Sequence, residues 1–161
     1  MGQERSFRRQ EGPEGALGDT QGRLSLALAS GEFRCIMEES SPSLMLFTFT
    51  GGSDKAGFES FLRRATEWLQ ENERRGRVYA ILIDPTGMDN FDAAMRRAAG
   101  EWRAAHLPLI ANTCSRAAYV ADSKIWRGVM TAVFWFAKPV IPVQLFSSQV
   151  AARRWLSQQV G

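Results

Sequence analysis

The sequence predicts an α/β fold: a single domain with a mixed β-sheet of about four to five strands, packed with about four helices. Two β-rich runs joined by a polar Ser/Pro turn predict an N-terminal antiparallel hairpin. Beyond them, segments of helical period alternate with apolar strand-like runs, the order expected of helices laid on a sheet. The composition can fill one such core. The chain has 161 residues, 45% of them hydrophobic and 23% charged, ordinary usage for one domain that buries a two-layer core without staples.

Residues 1 to about 31 are rich in glycine and charge and poor in aromatics, a composition that cannot offset the entropy of ordering a chain. They are expected to form a disordered tail, with the domain spanning 32–161. Leu24, Leu26 and Leu28 in RLSLALAS alternate with period two, which fits either an edge strand or a partner-binding segment. The first residues lack the apolar stretch of a signal peptide. Met1, Gly2 and Ser6 match the M-G-x-x-x-[ST] acylation pattern, but so short a pattern recurs by chance.

EFRCIMEE and LMLFTFT, separated by SSPS, make the hairpin. After Gly51-Gly52, Ser53 is placed to cap a helix. Phe58, Phe61, Leu62, Ala65 and Leu69 recur at spacings of three and four, and that helix ends near Gly76. VYAILID reads as a buried central strand that stops at Pro85 and Gly87. In the second helix Phe91, Ala94, Met95, Ala98 and Trp102 form the inner stripe, leaving Arg96, Arg97 and Arg103 for the solvent side. Leu107 to Ala111 is a short connection or the approach to the next strand. AAYVAD is that strand. Asp122 or Ser123 caps a helix from Ile125 to Ala137, and Pro139 stops it. VIPVQLF is the last strand, and Ser147 or Ser148 caps a closing helix.

The stretch AAYVADSKIWRGVMTAVFWFAKPVIPVQLFSSQVAARRWL resembles the C-terminal half of SpoIIAA-like proteins of the STAS superfamily. The resemblance rests on Val120, Asp122, Ser123 and Trp126 in a V-x-D-S-x-x-W pattern, then a Val/Phe strand, then Ala152, Trp155 and Leu156 in A-x-x-W-L. With the upstream order of elements it covers about residues 33 to 158. In STAS proteins that antagonise anti-sigma factors, a D-S-[ST]-G motif carries a phosphorylated serine. Here Asp84 matches the strand-end acid and Asp92 the acid of the motif, while Ala93 and Ala94 stand where the hydroxyls belong. The resemblance therefore implies the SpoIIAA-like branch without the phosphoserine switch. Its more distant likeness to CRAL-TRIO-like proteins, some of which bind lipids, implies an apolar ligand by analogy alone.

No enzyme motif is complete. The one histidine, His106, sits between Ala105 and Leu107 at a helix end, and no nucleophile–base pair can be built without it. No catalytic residue, metal or cofactor is expected. Gly51-Gly52-Ser53 lacks the spacing of a phosphate loop and reads as a turn with a cap. Cys35 and Cys114 lack a CxxC or secreted framework, so reduced thiols and a cytoplasmic location are expected. The net charge of +3 comes from arginines spread over several helices, which does not favour nucleic acid as a partner.

Two candidate sites remain. Asp84 and Asp122 end central strands, where α/β sheets bind ligands. With Thr86, Asp92, Ser123 and Lys124 they would outline a small polar pocket; the plainer reading makes Asp92, Asp122 and Ser123 helix caps. IWRGVMTAVFWFAKPVIPV is too short and too interrupted by Arg127 and Lys138 to span a bilayer. Its Trp126, Met130, Phe134, Trp135 and Phe136 exceed what one buried helix face holds, so this helix is the expected contact surface of a self-associating module. These features predict a non-enzymatic domain acting through a protein partner or a second copy of itself. The alternative is a carrier or sensor of an apolar, lipid-like or anionic small molecule at the strand ends.

Overall fold

The computed structural model describes residues 25–158; the acylation pattern and most of the expected tail lie outside them. Among the described residues six strands form one sheet in chain order: β1 (Ser25–Ser30), β2 (Phe33–Ser41), β3 (Leu44–Gly51), β4 (Tyr79–Met88), β5 (Cys114–Val120) and β6 (Val143–Phe146). The first three are antiparallel, and β3 to β6 run parallel. β1 falls within the stretch assigned to the tail and pairs with β2, so SLALAS takes the edge-strand alternative. The helices are α1 (Lys55–Arg75), α2 (Ala93–Ala105), α3 (Leu107–Thr113), α4 (Lys124–Phe136) and α5 (Gln149–Ser157). Mixed sheet, leading hairpin and helix–strand alternation all agree with the sequence. The strand and helix counts each rise by one, through β1 and the short α3.

The strand order explains where the helices lie. Each parallel connection advances to the next strand in the same direction, and connections of one common hand then place α1, α2, α3 and α4 on one face. There they cover Phe33, Cys35, Met37, Phe47, Phe49, Ile81 and Tyr119 of the sheet. α5 follows the last strand and bridges no pair, so it is free to take the opposite face, over Leu46, Leu82, Ala118 and Val120. β2 shows the division residue by residue: Phe33, Cys35 and Met37 are buried under the helices, whereas Arg34, Ile36 and Glu38 face solvent beyond the reach of α5.

α1 forms as its spacing requires, with Phe58, Phe61, Leu62, Ala65 and Leu69 buried; the larger side chains each contribute about 1.5–3 kcal/mol. Its cap is Asp54, which accepts from the Gly57 amide, rather than Ser53. Ser53 instead accepts from the Asp92 amide and donates to the Asn90 carbonyl, tying the start of α1 to the start of α2. Gly51 allows this corner: its φ is +90°, and a Cβ there would lie 1.7 Å from the Glu32 carbonyl oxygen.

β4 does not stop at Asp84. It continues through Pro85 to Met88, with a register shift against β3 between Thr48 and Thr50. A bulge is where a strand tolerates a proline, because the missing N–H falls outside the regular ladder. β6 is shorter than VIPVQLF suggests and begins at Val143, after Pro139 and Pro142.

Candidate functional site

Of the residues picked out at the strand ends, Asp84, Thr86, Asp92 and Ser123 take part in local hydrogen bonds. Asp84 is buried; it accepts from the Thr86 amide and hydroxyl at 3.0 and 2.6 Å and from Gln149 of α5. These bonds hold the β4 bulge to α5. Asp92 caps α2 by accepting from the Met95 amide, and Ser123 caps α4 by accepting from the Trp126 amide. Asp122 and Lys124 are exposed. The helix-cap alternative therefore accounts for Asp92 and Ser123, and Asp84 is part of a structural bulge.

The contact surface expected of α4 is divided in two. Trp126 and Met130 are buried in the core, and Phe134 packs edge-on against Tyr119 at 5.4 Å. A helix turns about 100° per residue, which separates these three from Trp135. Trp135 is 86% exposed and lines a shallow groove with Gly128, Thr131, Ala132 and Phe136. Phe136 is half-exposed and lies across Gly100 of α2. His106 is structural: its ring stacks on Trp102 at 4.9 Å, and Nδ1 bonds the Trp102 carbonyl at 2.7 Å.

The feature with chemical potential lies on the helix-covered face. A cavity of about 140 Å³ opens between β3, β4, β5 and the helices, lined by Phe47, Phe49, Phe61, Trp68, Ile81 and Met130 among other apolar groups. Alternation along β4 explains why it does not reach Asp84, beside which a ligand cavity was expected: Ile83 lines the cavity, and the next side chain points to the α5 face.

Among the described residues one cation reaches this apolar space. Arg103 of α2 lines the cavity and is 8% exposed, contrary to its expected place on the solvent side of the helix. It follows Met95 by eight residues and Ala99 by four, about 80° and 40° around the helix from them, so it shares their inward face. Its Nη1 donates to the Tyr119 hydroxyl at 3.2 Å, and its guanidinium carbon lies 5.0 Å from the Phe134 ring centre. Its Nε and Nη2 are buried with no hydrogen-bond partner among the described residues. A buried guanidinium cannot shed its charge, and an uncompensated one costs several kcal/mol.

Burial also raises the proton affinity of the neighbouring groups. Desolvation pushes the Cys114 thiol up to about 11, against smaller lowering effects of Thr113 and Arg103. Desolvation raises the Tyr119 phenol, again opposed by Arg103. Both groups on the cavity wall are therefore protonated at neutral pH. Cys35, elsewhere under the helices, is raised further by burial alone. Both cysteines are free and buried.

The SpoIIAA-like family profile matches residues 44–157. The chain belongs to the SpoIIAA-like family. No curated protein matches it. Among solved structures it is similar to an uncharacterised protein of the DUF3478 family from Shewanella loihica PV-4, described as having a SpoIIAA-like fold. The two are 16% identical with a TM-score of 0.53, and the match covers 80% of this chain and 98% of the other. That likeness establishes the SpoIIAA-like fold. In this SpoIIAA-like chain α2 opens on Ala93 and Ala94 directly after the Asp92 cap. Among the described residues no helix is long and apolar enough to cross a membrane.

Sequence reasoning missed the cavity and Arg103. The helical spacing of Arg103 from Met95 and Ala99 was the available signal, outweighed by the general rule that arginines face water.

Proposed function

We propose that this SpoIIAA-like domain is a non-enzymatic binding module that holds a small apolar molecule between its sheet and the α1–α4 layer. The cavity carries this reading: about 140 Å³ of apolar space, walled largely by aromatic and aliphatic side chains, between the sheet and its helices. Protein interiors are close-packed, and an apolar void of about 150 Å³ stays dry and takes up a benzene-sized guest. The alternative function thus moves ahead of self-association, and its site moves from the Asp84 and Asp122 strand ends to the opposite face. The groups at hand do not suggest chemistry. Cys114 is held as a thiol, and His106 is committed to Trp102. Ala93 and Ala94 at the start of α2 support action without a phosphoserine switch. Two buried free thiols suit the reducing cytoplasm.

A second reading rests on the outer face of α4, where Ile125 and Trp135 are 78% and 86% exposed and no atom of the described residues would lie within 4 Å of a Cβ on Gly128. Large apolar groups aligned on one helix face fit an interface with a second copy of the chain.

Native mass spectrometry of the freshly purified chain over a concentration series tests both. The carrier reading expects a monomer with a small retained mass; bare protein that also takes up no added apolar compound would end it. The association reading expects a concentration-dependent dimer that Trp135→Ser abolishes, and a monomer at every concentration would end that one.

A further inference from the structure

An apolar cavity by itself asks only for an apolar guest. This one also contains a permanent positive charge whose donors are incompletely used. The five ion pairs among the described residues are short-range pairs along the outer faces of α1 and α2, and none includes Arg103. The Tyr119 hydroxyl takes one N–H and supplies no negative charge. The two orphaned nitrogens are Nε and Nη2. They share one edge of the guanidinium plane, so their N–H bonds run side by side, the arrangement that pairs with both oxygens of a carboxylate.

We propose that the ligand is an amphiphilic monocarboxylate, with a short alkyl or aromatic body in the apolar cavity and a carboxylate that draws the Nε and Nη2 edge of Arg103, sealed in the core while unpaired, to the cavity wall. The inference rests on the cavity reading above and specifies its ligand class. One buried cation balances one negative charge, and among the described residues the lining supplies no second cation for a phosphate dianion. Tyr119 completes the head-group site. Its oxygen already accepts from Arg103, so its own proton is available to a carboxylate oxygen, and burial keeps that proton in place. The part of the body that the cavity holds is limited in size: about 140 Å³ takes a benzene-sized group. A neutral guest would fill the same volume and leave the guanidinium unpaired, so the site discriminates by charge as well as by shape.

Calorimetric titration of the full chain, freed of retained ligand, with benzoate and with benzyl alcohol at neutral pH tests this. The two probes share a ring and differ in the head group. Benzoate is expected to bind at least about tenfold more tightly, the range of a hydrogen bond to a charged group. Arg103→Met should weaken benzoate to the level of benzyl alcohol and leave benzyl alcohol unchanged, and Arg103→Lys should restore part of the difference. Tyr119→Phe, which removes only a hydroxyl, should weaken benzoate severalfold and spare benzyl alcohol, and it keeps the test alive if Arg103→Met does not fold. Equal binding of both probes to the wild-type chain would overturn the carboxylate assignment and leave the apolar cavity standing. Binding of neither would overturn both.

Discussion

Arg103 and Arg116 lie on opposite faces of the same sheet and look alike by every local measure. Each is 8% exposed, and each guanidinium sits over an aromatic ring, Phe134 at 5.0 Å and Trp155 at 5.1 Å. They differ in what the neighbouring backbone offers. Arg116, on β5, donates to the Trp155 carbonyl at 2.9 Å, in the last turn of α5, where that oxygen also accepts from the Gln158 amide. It staples α5 to the sheet, and the cation meets the negative end of the helix dipole. Arg103 projects from the middle of the helical layer into side chains alone and finds one neutral hydroxyl. Burial of an arginine is thus not a function in itself. A satisfied one is part of the scaffold, and an unsatisfied one beside a cavity marks a place for a partner.

The largest expected effect comes from making the same substitution at both. Arg116→Met should lower stability by about 3 kcal/mol through the lost charged hydrogen bond and ring contact. Arg103→Met should be neutral or stabilising by up to about 2 kcal/mol, because it removes an uncompensated buried charge and leaves an apolar chain of similar length. Urea unfolding of the two variants measures the gap. Equal destabilisation would make Arg103 a second staple and erase the contrast.

Alkaline pH sharpens the comparison next, since the thiols and phenol with raised proton affinity all lie on the helix-covered face. The folded state holds the Cys114 proton up to about 11, against a free-thiol value of 9.0. The folded chain therefore binds more protons than the unfolded one in that interval. Its stability is fully present below pH 9 and falls by roughly 2–3 kcal/mol as pH rises toward 11. Urea midpoints at neutral and alkaline pH should show the fall, reduced in Cys114→Ala. A pH-independent midpoint would mean that the thiol is not sealed in the core.

Smaller effects separate the packed edge of α4 from its free face. At Gly100→Ala the added Cβ would lie 2.4 Å from the Phe136 ring, so α2 and α4 must move apart. We expect a loss of about 1–2 kcal/mol, read as a thermal midpoint lower by a few degrees. An unchanged midpoint would show that Phe136 simply swings away. Trp135→Ser should change monomer stability by no more than about 0.5 kcal/mol, as its side chain stands almost wholly in solvent. A larger loss by the same denaturation assay would place the indole in the core.

How much could be read in the sequence varies with the range of the interactions involved. Phe58, Phe61, Leu62, Ala65 and Leu69 recur at helical spacing, and the structure buries all five. Capping was legible only to within a residue or so. Ser148 was one of two stated choices, whereas Asp54 replaced the neighbouring Ser53, because which side chain reaches the amide depends on where the chain enters the helix. The end of β4 was misplaced at Asp84, since a bulge that absorbs Pro85 depends on pairing with β3, distant in sequence. The cavity proposed as the ligand site was not legible for the same reason. Asp84 and Asp122 are conspicuous in a linear reading, but the cavity wall draws on Phe47, Phe61, Ile81, Arg103, Tyr119 and Met130, each from a different element.

The sequence by itself determined the class of fold, the leading hairpin, the helix–strand alternation and the family, because periodicity, turn residues and short motifs act over a few neighbouring positions. Only the tertiary structure decided that α1–α4 share one face while α5 takes the other, that Arg103 turns inward, and that the core beneath it is incompletely filled. Those outcomes depend on how six elements meet at once. A void or an unpaired charge is defined by the partners that fail to arrive, which no local pattern records.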